Sequence, residues 1–227
     1  MTTPIKTGRL IGVLLLVQVI FGILDNFVFT APLFGKPGFL INAAPHANQI
    51  AFSALLGIGM GVLSLAIASL LYPIFKPYSQ PMALFYFGLV TAGVALTVVE
   101  NTKILSMLSL SQAYVAAGAS QEALYQGLRI VVKDARNWTH YLSLLVSGVT
   151  IFTFYFTTMR FKLLPIALSI FGILAALSQL TAIAMPLFGR DVDFRLIAPL
   201  GVCEILLGVW LIVKGFRESA GVPRQGL

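Results

Sequence analysis

The chain has 227 residues, of which 58% are hydrophobic and only 10% charged, with 15 Lys and Arg against 8 Asp and Glu. Soluble domains carry about 25% charged residues, so this composition excludes a freely soluble enzyme and a disordered chain, and a single cysteine excludes a disulfide scaffold. The basic excess does not point to nucleic acid: Lys6, Arg9, Lys76, Arg160, Lys162, Lys214 and Arg217 stand at the ends of apolar runs, where cations fix orientation and meet anionic headgroups.

About 20 apolar residues in a helix cross ~30 Å of hydrocarbon. Six runs meet that length, at about 10–33, 48–72, 82–108, 138–159, 163–187 and 196–215. The predicted fold is all-α, a polytopic bundle of six transmembrane helices forming one membrane domain over residues 1–227. Lys6 and Arg9 precede the first run as they would a signal peptide, but the run is too long, carries Asp25 and Asn26, and lacks a small-x-small cleavage site. It closes at Pro32 and Gly35 to Pro37. The second run opens near His46 and repeats Ser53, Gly57 and Gly61 at four-residue spacing, a smooth face read as internal helix packing. The third carries Glu100, Asn101 and Lys103.

The long connection that follows has its own pattern. Leu124, Leu128, Val131 and Ala135 form an apolar stripe, while Gln126, Arg129, Lys133 and Arg136 follow the opposite face. An amphipathic interfacial helix over about 120–135 is expected between the third and fourth spans. The fourth run begins at Trp138, an interfacial anchor, and His140; the fifth carries Gln179 and ends near Pro186 and Gly189; the sixth carries Cys203 and Glu204. With the N-terminus inside, the inner side holds Lys6, Arg9, Lys76, Arg160, Lys162, Lys214, Arg217 and Arg224, and apart from Glu218 it is purely basic. The outer side holds Lys36, Arg129, Lys133, Arg136, Arg190 and Arg195, several beside acids. The expectation is a multi-pass protein of the cell membrane with both termini cytoplasmic.

Ionisable groups within spans are costly and mark candidate sites. Asp25, Glu100, Gln179 and Glu204 each lie about eight residues below the outer end of their run, roughly 12 Å deep at 1.5 Å per residue, which predicts one polar layer. Asn26 adjoins Asp25, and Asn101 and Lys103 adjoin Glu100, with Lys103 expected to compensate one carboxylate. The inner half of the spans is close to uniformly apolar, so the layer is expected to line a polar cavity opening to the outer face. His46 and His140 lie near the same side and would suit zinc, iron or bis-histidine haem. Neither belongs to an HxxxH or ExxH pair, and no cofactor is predicted. Pro-Leu-Phe-Gly followed by a base occurs twice, at Pro32 to Lys36 and Pro186 to Arg190, an echo that would relate the first and fifth spans.

The last span reads E-I-L-L-G-V-W-L-I-V-K-G from Glu204 to Gly215, after a fifth span opened by Lys162, Leu163, Leu164 and Pro165 and a fourth begun at His140. Over about 138–216 this resembles the bacterial integral-membrane family known as domain of unknown function 4386. The resemblance implies a six-helix prokaryotic membrane protein and a buried acid at Glu100, and brings no activity, substrate or cofactor. The family's pattern has an Arg shortly before that acid; here the position is Thr97 or a neighbour, and Lys103 is the substitute at hand. The residues favour a non-enzymatic bundle that binds or transports a small ligand, a proton or a cation. A membrane-embedded metal-dependent enzyme acting on a lipid or apolar substrate, and a structural or partner subunit, are the alternatives. The expected partners are the lipid bilayer and that small ligand or cation.

Overall fold

The computed structural model describes residues 4–118 and 121–217, so that Ser120, Glu218 and Arg224 lie outside the described residues. In chain order the helices are α1 (Pro4–Leu24), continued by a π-helical turn (Asp25–Phe29), α2 (Ala31–Phe34), α3 (Phe39–Asn42), α4 (Ala47–Phe75), α5 (Gln80–Ala117), α6 (Glu122–Arg160), α7 (Ile166–Ala184) and α8 (Ala198–Lys214). There is no strand among the described residues. The punctuation follows the residue types. Pro81 and Pro199 sit in the first turns of α5 and α8, where a missing N–H is harmless, and Gly118, Gly189 and Gly215, all at positive φ, follow α5, the turn after α7, and α8. Six helical segments among the described residues are long and apolar enough to cross a membrane: Pro4–Phe29, Ala44–Phe75, Gln80–Ala117, Glu122–Arg160, Ile166–Phe188 and Phe194–Lys214.

The segment expected as an interfacial helix is helical, but no turn divides it from the fourth span. It runs on as the first part of the 39-residue α6. Nothing between Ala135 and Trp138 breaks a helix, since neither Gly nor Pro intervenes. At 38 and 39 residues, α5 and α6 are each about 57 Å long, nearly twice the hydrocarbon thickness.

The chain forms two compact units. The first contains the described residues up to Val19, Leu63–Gly93 and those from Leu144 onward; the second is Ile20–Val62 with Val94–Ser143. The core of the first unit is built on Phe75, Phe154, Tyr155, Leu164, Cys203 and Leu211. Here α1 and α8 approach until backbones touch. A Cβ on Gly12 would lie 2.7 Å from the Gly208 carbonyl oxygen, and one on Gly8 would lie 2.9 Å from the Gly215 Cα. The Gly8-xxx-Gly12 spacing supplies that flat face. The second unit has its own apolar core, in which Leu33, Phe39 and Leu40 of α2 and α3 pack on Ile50 of α4 and on Ile104, Met107 and Leu108 of α5. Ser111 pins α3 to α5 by donating to the Leu40 carbonyl (2.8 Å) and accepting from the Ala44 N–H (2.9 Å). The small face of α4 is spent inside this unit: Gly57 meets Asn101, Gly61 meets Val94, and Ser53 meets Asp25.

Candidate functional site

The second unit gathers a polar cluster from four helical segments. Glu100 on α5 receives two donors on one carboxylate oxygen, Arg136 Nη2 at 2.9 Å and His140 Nδ1 at 2.8 Å. Arg136 and His140 are four residues apart on α6 and so share one face. A carboxylate only accepts, so His140 Nδ1 carries the proton and Nε2 is left to accept or to hold a second one. The pair is well shielded, with side-chain exposures of 10% for Arg136 and 15% for Glu100. The Arg136 guanidinium also stacks 4.7 Å from the Phe34 ring, so α2 covers it.

Asp25 enters from the end of the first span. It opens the π-helical turn, in which the Asp25 carbonyl accepts from the Thr30 N–H at 2.9 Å and from its hydroxyl at 2.9 Å. Such turns leave carbonyls without their usual α-helical partners. Gln49 on α4 meets that need, donating to the Val28 carbonyl at 2.6 Å. The Asp25 side chain accepts from Ser53 Oγ at 2.5 Å and is close enough to Glu100 and Arg136 to interact with both electrostatically. On α4, Ser53 and Gly57 are one turn apart, and they mark the levels of Asp25 and Asn101; the two acids are therefore stacked roughly 6 Å apart along the helix axes. Asn101 and Arg136, both more than nine-tenths buried, each keep one donor, Nδ2 and Nε, without a hydrogen-bond partner among the described residues.

Two expectations change. The charge facing Glu100 is Arg136, not Lys103, whose side chain makes no hydrogen bond or ion pair among the described residues. The planar guanidinium crossing from α6 meets the carboxylate directly at 2.9 Å and takes the place a lysine at i+3 on the same helix would otherwise fill. The single layer of four also divides. Gln179 and Glu204 belong to the first unit, where Ser178 donates to the Leu196 carbonyl at 2.7 Å. That bond sets Leu196 level with Gln179, and because α8 runs back along α7, Glu204 lies eight residues further, about 12 Å away in depth. Counting from each run's own end misses this because the turns after α7 return the chain to the level of Ser178 before α8 begins. Gln179, 3% exposed, donates to the Leu144 carbonyl at 3.1 Å, and its own Oε1 is unpartnered. Glu204 adjoins Cys203, whose thiol donates to Tyr155 Oη at 3.2 Å. Asn26 is exposed and bonds back to the Gly22 carbonyl at 2.9 Å.

The histidines have separate uses. His46 is exposed and donates from Nδ1 to the Asn42 carbonyl at 2.8 Å, while His140 serves Glu100. Among the described residues no group of three or more His, Cys, Asp or Glu side chains is placed to hold a metal ion. Sequence reasoning passed over Arg136 and Ser53 as members of the cluster, reading one as solvated and the other as packing. The signal available was Arg136 four residues before His140 at the edge of an apolar run. Ser53→Ala removes the hydrogen bond that Ser53 donates to the Asp25 side chain and is expected to cost about 1–2 kcal/mol, between the values for neutral and charged bonds; thermal unfolding in detergent measures it, with Ser53→Thr as the retaining control.

Six helices among the described residues are long and apolar enough to cross a membrane, which defines the class as a multi-pass α-helical membrane protein. Residues 10–215 match the family model described as "Domain of unknown function (DUF4386)", and the chain belongs to that family. No curated protein and no solved structure matches it.

Proposed function

We propose that this protein is a non-enzymatic membrane bundle that takes up a proton or a small monovalent cation at Asp25, beside the Glu100–Arg136–His140 triad. The reading places it in the cell membrane with both termini cytoplasmic and this cluster toward the outer face. Charge balance carries it. Two carboxylates, Asp25 and Glu100, stand within reach of one obligate cation, Arg136, and with a neutral His140 one negative charge remains uncompensated in low-dielectric surroundings. A proton on Asp25 or His140, or a bound cation, restores neutrality. The charged and titratable groups around Asp25 are Glu100 from α5 and Arg136 and His140 from α6, with Tyr141 beside Arg136.

The test is flux into proteoliposomes containing the purified protein, under an imposed pH gradient and separately under sodium and potassium gradients. Wild type should conduct or exchange protons or one of these cations above protein-free vesicles. Asp25→Asn, which removes the unbalanced charge and keeps a polar side chain for Ser53, should abolish that flux in a protein that still folds. Absence of both wild-type flux and any Asp25-dependent proton uptake on acidification would overturn the proposal and leave the cluster a structural clamp.

A further inference from the structure

The repeated string Pro-Leu-Phe-Gly-base ends in two different surroundings. In the first copy, Pro32 to Lys36, Leu33 is 3% exposed in the core of the second unit, and the Phe34 ring lies under Arg136. That copy is partly covered within the chain, Leu33 fully and Phe34, 49% exposed, on one ring face. In the second copy, Pro186 to Arg190, the same residue types face outward: Leu187 is exposed, Phe188 is 79% exposed, and left-handed Gly189 turns the chain so that Arg190 follows. The Arg190 N–H is tied to the Met185 carbonyl, but its guanidinium makes no hydrogen bond or ion pair among the described residues. Thr181, Ala184, Met185, Phe188 and Arg190 line a groove of about 480 Å³, open on one side, with apolar walls and this cation at its end.

The position of the groove decides what fills it. The fifth apolar segment runs Ile166–Phe188, so Phe188 and Arg190 stand where a span leaves the hydrocarbon and meets the headgroups. A water-soluble guest would leave Phe188 and Met185 uncovered, and an uncharged lipid would leave the guanidinium without a partner. We infer that this groove is a binding site for an anionic phospholipid, its phosphate paired with Arg190 and one acyl chain lying along Thr181, Ala184, Met185 and Phe188. Charge complementarity and the membrane-level end of the span select that occupant over a free phosphate or a second protein. The neighbouring cation offers a contrast, since Arg195 has a carboxylate partner, Asp193, at 3.3 Å and does not line the groove.

Native mass spectrometry of the full chain, exchanged into micelles holding equal amounts of phosphatidylglycerol and phosphatidylcholine, tests this. The expected result is a retained phosphatidylglycerol adduct, weakened about tenfold in Arg190→Gln, as for loss of one charge-assisted contact, and unchanged in Arg195→Gln. Phe188→Ala should loosen the adduct while keeping the headgroup preference. All three residues are exposed, so the variants fold. Equal retention of the two lipids, an adduct indifferent to Arg190→Gln, or an equal loss in Arg195→Gln would overturn the site. Displacement by inorganic phosphate at the concentration of the lipid would overturn the lipid as its occupant.

Discussion

Glu100→Gln is expected to destabilise the protein by about 3–5 kcal/mol, the cost of removing one partner from a buried ion pair. The substitution keeps the volume and one acceptor oxygen, so the loss arises from charge: Arg136, stacked on the Phe34 ring and more than nine-tenths buried, would keep a full positive charge with its nearest counterion gone. Asp25 lies within electrostatic reach of Arg136 and softens the effect without replacing a bond of 2.9 Å. The informative comparison is the double variant Glu100→Gln, Arg136→Gln. Two neutral amides in place of the pair should recover most of the stability, so that the coupling between the positions is large and favourable in the wild type. Thermal unfolding in detergent gives all four corners of the cycle. Additive losses would show that the two side chains do not act as a pair.

Gly12→Ala is the second large effect, expected at about 1–3 kcal/mol of destabilisation. The added methyl would meet the Gly208 carbonyl oxygen at 2.7 Å and the Ile212 nitrogen at 2.9 Å, which are backbone atoms of α8. A side chain in the way can change rotamer; a helix backbone can only move as a whole, and α1 and α8 would have to part along the line that also joins Gly8 to Gly215. Gly59→Ala on α4 is the control, since nothing lies within 4 Å of its position and alanine is the better helix former by about 1 kcal/mol. Opposite signs for the two substitutions, read as shifts in unfolding temperature, are the expected result. A neutral Gly12→Ala would mean that α1 does not seat against α8 as described.

Much of the architecture was legible in the residue order because the membrane asks so little of it: length and apolarity alone decide whether a segment can span. The six runs and the acid within the third were accessible in that way, and the packing face at Ser53, Gly57 and Gly61 through its threefold small-residue spacing. The break expected before the fourth span was not there, since amphipathicity describes which face meets lipid or water and is silent on whether the helix stops. Gly8 and Gly12 offer one four-residue interval where Ser53, Gly57 and Gly61 offer two, and a single pair of small residues does not by itself mark a contact face.

By itself, the sequence determined that the chain is an all-helical membrane protein with acids placed inside its spans, since composition and run length are local properties. Which groups meet was decided by the tertiary structure. A guanidinium from about four turns into α6, rather than a lysine one turn away, reaches Glu100 because within the second unit this face of α6 is turned toward α5. Asp25 joins them through a serine read only as small, and Gln179 and Glu204 separate in depth because the turns after α7 return the chain before α8 begins. Depth counted along one helix is sequence information; the register between helices is set by the turns and side-chain contacts that join them.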